Sequence, residues 1–191
     1  MAARHVPLVM LFLTSFVLTS WAASCTWQDA ANPVSSVDCS HQGSVLTVTY
    51  QGHSVTCDQD LSSLDLQTAP RLHWSAAKAS QTYLLLMLDP DAPTPCQPNL
   101  RYIVHWAAFV MGQNLHVTHE FVAYRSPHPP AGTPAHRYQL FLYEWGSGQS
   151  LNDLDLLGQL SSNHLRFDLE NFKAVSHLHN EVVAFQIQYS R

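Results

Sequence analysis

Residues 83–88, Tyr83-Leu84-Leu85-Leu86-Met87-Leu88, run without a polar break. A short uninterrupted apolar run of this kind predicts a strand buried on both faces. Elsewhere the pattern alternates. Leu46, Val48 and Tyr50 share one face of a strand over residues 44–50, and Gln51-Gly52 follows as a turn. Residues 71–74 form a short strand candidate. Residues 102–110 are rich in aromatic and branched side chains, residues 136–145 alternate over a long stretch, and residues 182–189 make the last strand. Helical patterns are few. Residues 152–160 carry Asn152 as a cap and leucines at 154, 157 and 160, although Gly158 weakens them; residues 168–176 open with Asp168 as a cap. Many strands with few helices predict a mainly β protein, an antiparallel β-sandwich with a few short peripheral helices.

The first 24 residues change the picture of the compartment. Arg4 and His5 precede an apolar stretch from Val6 to Leu18, followed by small residues at Ser20, Ala22, Ala23 and Ser24. This is the layout of a signal peptide, and the run is short for a transmembrane segment. Residues 25–191 then form one domain, of which 25–43 are polar, without period, and read as an irregular N-terminal segment. Without Arg4 the 9 basic residues become 8 against 14 acidic, a formal charge of −6. That disfavours nucleic acid and simple adhesion to anionic lipid. Cys25, Cys39, Cys57 and Cys96 all lie beyond the leader. In an oxidising compartment the even count predicts two disulfides, with three connectivities open. The protein is expected to be secreted.

The candidate chemistry stands at strand ends. Asp89-Pro90-Asp91-Ala92-Pro93 closes the central run, its prolines fixing the backbone. Downstream come His105-Trp106 and then the stretch Ser126 to Tyr138, which carries His128, Pro129-Pro130, Gly132-Thr133 and His136-Arg137-Tyr138. Strand alternation puts His136 and Tyr138 on one face with Arg137 on the other, where an ion pair with Asp91 is one outcome. The same alternation puts His105 with Ile103 and Ala107, and turns Trp106 away. An acid, two histidines and a phenol suit a phosphate, a carboxylate or a headgroup whose amine meets the acid.

The D-P-D-A-P, H-W and P-P-x-G-T-x-x-H-R-Y segments, in this order and spacing, resemble the phosphatidylethanolamine-binding protein family, and with the leader and cysteines most closely its secreted branch. The resemblance covers roughly residues 44–190. It implies a β-sandwich with a ligand pocket near the ends of the motif-bearing strands, formed by Asp89, His105, Pro130, His136 and Tyr138. His128 stands where relatives usually carry a small residue, and would narrow the rim or add a pH-sensitive donor there. Ile103 replaces a usual aromatic, and the C-terminal helix that closes the pocket in some relatives is not expected.

The resulting expectation is a secreted, non-catalytic binding protein for a small anion or phospholipid headgroup, with a possible protein partner and no cofactor. The alternative is an inhibitor of a serine protease or carboxypeptidase, which the resemblance permits. A hydrolase is disfavoured: Ser147 lies in Gly146-Ser147-Gly148, a turn pattern and not a nucleophile elbow. Metal binding is also disfavoured. His116-x-x-His119 and His177-Leu178-His179 are short pairs among 12 histidines, without an acid or cysteine at ligand spacing.

Overall fold

The computed structural model describes residues 25–39, 46–146, 164–178 and 180–191. The leader, the helix expected at 152–160, Ser147 and His179 lie outside the described residues. The first described segment, 25–39, is irregular as expected, with a single 3-10 turn at Trp27–Asp29.

Among the described residues nine strands follow: β1 (Leu46–Tyr50), β2 (His53–Val55), β3 (Gln59–Asp60), β4 (Arg71–Trp74), β5 (Thr82–Asp89), β6 (Ile103–Met111), β7 (His116–Val122), β8 (His136–Trp145) and β9 (Glu181–Tyr189). Helix α1 (Leu169–Val175) precedes β9. Its cap is Asp168, whose carboxylate accepts the Asn171 N–H at 3.0 Å. The strands form a small sheet ordered β2-β1-β4 and a large one ordered β3-β9-β8-β5-β6-β7. Pairing is antiparallel except that β3 runs parallel to β9. The sheets stack as a mainly β sandwich and do not close into a barrel.

The turn between β1 and β2 has two residues, Gln51 and Gly52, with φ of 48° and 87°. Both angles lie in the left-handed region, the hairpin geometry that matches strand twist. The main core fills the space between the sheets. Leu46, Val48 and Tyr50 of β1 and Leu72 and Trp74 of β4 meet Tyr83, Leu85 and Met87 of β5 and Tyr138, Leu140 and Leu142 of β8. The far face of β5 carries Leu84, Leu86 and Leu88 into a second cluster with Leu169 and Phe172 of α1. Strand β5 is therefore covered on both faces, which is why its sequence lacks alternation. Its last inward position is Asp89.

Candidate functional site

The ends of three strands, β5, β6 and β8, meet beside Asp89. On β8, side chains 138, 140 and 142 point into the main core, and His136 shares that face. The carboxylate of Asp89 accepts a hydrogen bond from His136 Nδ1 at 2.9 Å, with both side chains buried. A second Asp89 oxygen accepts the Asp91 N–H at 2.7 Å. This turn fixes the carboxylate's orientation from behind.

His105 reaches the same place by another route. The register pairs Met87 with Trp106 and Leu88 with Val104, so His105 is an extra residue in a β-bulge. Trp106 stays in the main core, while Val104 and Ala107 pack on the far side. His105 meets the Tyr138 ring edge-on at a centroid distance of 5.0 Å. The strand-alternation expectation is corrected here: His105 does not share a face with Ala107, because the bulge breaks the period. Its Nδ1 donates to the Arg125 carbonyl at 2.9 Å, and the Arg125 N–H donates back to the His105 carbonyl at 2.8 Å. Burial pushes the imidazole pKa below the ordinary histidine value, and this outweighs the opposing pull of the Arg125 carbonyl and the Asp89 charge.

Tyr138 stands between the two imidazoles, with the His136 ring near-parallel to it at 6.5 Å. The nearby His128 backbone favours the ionised form of its hydroxyl. Burial dominates nonetheless and keeps the phenol protonated well beyond the ordinary tyrosine range. The His128 side chain is exposed and faces outward, within 2.6 Å of the Arg191 guanidinium. Pro130 is exposed in a turn, where its carbonyl accepts the Thr133 N–H and hydroxyl. Of the expected residues, Asp89, His105, His136 and Tyr138 thus lie together. The His128 backbone lies near the Tyr138 hydroxyl, and the hydrogen bonds of Pro130 go to Thr133.

One polar atom in this group stands out. His136 Nε2 is buried with no hydrogen-bond partner. Native interiors rarely leave such an atom unpaired.

The group is buttressed from outside. Arg137 points away from His136, as alternation predicts, and clasps Asp91 with Nε and Nη2 at 2.8 and 2.6 Å. Its remaining face is closed by the irregular N-terminal segment: Nη1 donates to the Val34 carbonyl at 2.7 Å, and the guanidinium lies over the Trp27 ring at 4.4 Å. That segment is tied at both ends, by Cys25–Cys96 and Cys39–Cys57, which resolves the connectivity that spacing left open. The segment 34–38 also walls a separate groove of 610 Å³ on the opposite face of β8, with Phe141, Tyr143 and Lys173; none of the four clustered residues lines it. Neither Arg125 nor Trp27 carries a sequence signal for these roles, because one acts through its backbone and the other sits in a segment without periodicity.

Among the described residues no group of three or more His, Cys, Asp or Glu is placed to hold a metal ion, and no helix is long and apolar enough to cross a membrane.

A family model described as "Phosphatidylethanolamine-binding protein" matches residues 38–185. Over 100 residues the chain is 35% identical to Protein FLOWERING LOCUS T of Arabidopsis thaliana, a match covering 51% of this chain and 56% of that one. The chain spans about half the length of the plant relatives it matches. Among solved structures it is similar to a phosphatidylethanolamine-binding protein from Plasmodium vivax, with a TM-score of 0.59, 19% identity, and 78% of this chain and 85% of that one covered. It is also similar to a carboxypeptidase Y inhibitor solved in complex with its cognate proteinase, with a TM-score of 0.61, 17% identity, and 77% and 83% covered. At these identities the structural likeness establishes the fold.

Proposed function

Since the chain belongs to the phosphatidylethanolamine-binding protein family, we propose that it is a secreted, non-catalytic binding protein with a pocket for a small anion or phosphorylated headgroup, acting through protein partners. The pocket is assigned to Asp89, His105, His136 and Tyr138, with His128 and Pro130 at its rim. The observation that carries this reading is His136 Nε2, buried and unpaired on a ring whose other nitrogen is held by Asp89. Tyr138 adds a hydroxyl that stays protonated, hence a donor, at ordinary pH.

A non-catalytic role is supported by what surrounds these groups. The two cysteines of each disulfide are unavailable as nucleophiles, and Tyr138 is far from ionising. An export reading is supported by the two disulfides, which persist in oxidising compartments. The likeness to a carboxypeptidase Y inhibitor rests on fold and brings no inhibitory reading with it.

Titration calorimetry with phosphoethanolamine tests the assignment. His136→Ala is expected to weaken binding by about 1.5–3 kcal/mol, the worth of a hydrogen bond to a charged group. A variant that binds as tightly as the parent sinks the site.

A further inference from the structure

We propose that the groove on the outer face of β8 is a second binding site, separate from the anion pocket, and that it takes a small organic cation: an ammonium group carried on an aromatic or apolar body. Three parts of the chain build this groove. Its floor is the outward face of β8 and β9, with Phe141 and Tyr143 on one strand and Ala184 on the other. Helix α1 gives one wall through Leu169, Glu170 and Lys173, and residues 34–38 give another. The register explains the hollow. Phe141 stands opposite Ala184, so only a methyl group faces the ring and the floor stays low beside it. The volume, 610 Å³, falls in the range of small-molecule sites.

The lining has a different chemistry from the pocket at Asp89. Phe141 and Tyr143 lie side by side with ring centroids 6.2 Å apart, and Tyr102 adds a third aromatic ring. Around them stand three carboxylates, Asp38, Glu170 and Glu181, against one ammonium, Lys173, a formal balance of −2. Lys173 is turned to Glu170 on its own helix, at 3.2 and 3.5 Å. The fold sets the position of Glu181. Leu142 pairs with Val183 and Tyr143 with Glu181, so Val182 is an extra residue in a β-bulge. The bulge brings Glu181 beside Tyr143, whose hydroxyl donates to its carboxylate at 3.3 Å. Burial first, and then the charges of Glu181 and Glu170, keep this phenol protonated beyond the ordinary tyrosine range. The floor of the groove therefore feels both carboxylates.

Aromatic faces and carboxylates attract the same kind of group. A cation set over Phe141 or Tyr143 gains from the ring quadrupole, and the surrounding charges add to that attraction. An anion loses on both counts. A neutral group of the same shape keeps only the apolar contact with Phe141, Leu169 and Ala184. The ligand class follows: an ammonium on the Glu181 side, with an apolar body along the floor.

Titration calorimetry of the full chain at neutral pH tests the charge with three compounds of one shape: phenylethylamine, phenylethanol and phenylpropanoate. The amine is expected to bind about tenfold more tightly than the alcohol, a ratio that one ring face and partly exposed carboxylates can supply. Phenylpropanoate should bind least. Equal affinities, a preference for the anion, or no binding of the amine at millimolar concentration overturn the proposal. Ala184→Leu fills the floor and should abolish amine binding. Glu181→Gln should weaken it about fivefold, the worth of one exposed ion pair. Amine binding unchanged in both variants overturns the assignment. If Ala184→Leu does not fold, proton chemical shifts of the Phe141 and Tyr143 rings in the parent replace it: both are expected to move on titration, and stationary rings contradict the proposal. Inorganic phosphate should not displace the amine. Displacement would place the amine in the pocket at Asp89, overturning the second site and leaving the anion-site reading intact.

Discussion

Asp91 takes three hydrogen bonds from one residue, from Arg137 N and Nε on one oxygen and from Arg137 Nη2 on the other. Both residues are buried, at 1% and 3% exposure. A buried pair of this kind owes little net stability to its Coulomb energy but is costly to break on one side. Asp91→Ala is expected to destabilise by about 3–5 kcal/mol, because it strands a guanidinium. The double replacement Asp91→Leu with Arg137→Met should cost less than the single one. Urea midpoints measure both, and a single-variant loss below about 1 kcal/mol contradicts the account. His105 carries a second expectation at this scale. Its pKa is lower in the folded protein than in the unfolded chain, so the unfolded chain binds the proton more readily. Its contribution is present above the unfolded value of about 6.5 and is lost as pH falls through the folded one. Unliganded stability should therefore decline on acidification below about pH 6.5, and less steeply in His105→Gln. Parallel profiles for parent and variant refute this.

At the scale of elements, what the chain discloses depends on whether its burial has a period. Strands with one or two covered faces were legible to within a residue or so: β4 and β8 coincide with the expected 71–74 and 136–145, and β5 ends one residue later, at Asp89. Strand β7 was not foreseen. It is a sheet edge with its first five residues exposed, so nothing forces an alternating pattern on it. The two-residue β3 and the three-residue β2 are too short to show any period. The site was half legible for the same reason. His136, Tyr138 and the outward Arg137 follow strand parity, and Asp89 follows the motif. His105 does not, since one bulged residue shifts every later side chain to the other face. Helix α1 was legible through its cap. Asp168→Ala should remove the bond to Asn171 and cost about 1 kcal/mol, read from the unfolding midpoint. An unchanged midpoint means that tertiary packing of Leu169 and Phe172 alone holds the helix.

Across the whole molecule, the two disulfides divide the labour of holding the N-terminal segment. Cys39–Cys57 closes 18 residues beside β2 and β3, and Cys25–Cys96 closes 71 and lands just beyond the Asp89–Pro93 loop. In the chain-entropy account these closures are worth about 3 and about 4 kcal/mol through the unfolded state. Their mechanical consequences differ. Between the two ties, backbone groups of the segment satisfy polar side chains on β8 and β9: Val34 receives Arg137, Ser35 receives Gln139 at 3.0 Å, and Val37 donates to Gln186 at 3.2 Å. The Trp27 ring covers the Arg137 guanidinium, which clasps Asp91, whose N–H holds the Asp89 carboxylate that carries His136. Loosening the Cys25 end therefore reaches His136 through four consecutive contacts, whereas loosening the Cys39 end frees residues on the far side of Arg137. Cys25→Ser with Cys96→Ser should lower both stability and affinity for phosphoethanolamine. Cys39→Ser with Cys57→Ser should lower stability while leaving affinity within about twofold, since distant sites add independently. Unfolding curves and calorimetric titrations on the two double variants separate these effects. Equal affinity in both would mean that Arg137 and Asp91 hold their geometry without the N-terminal segment, and that the segment's role ends at stability.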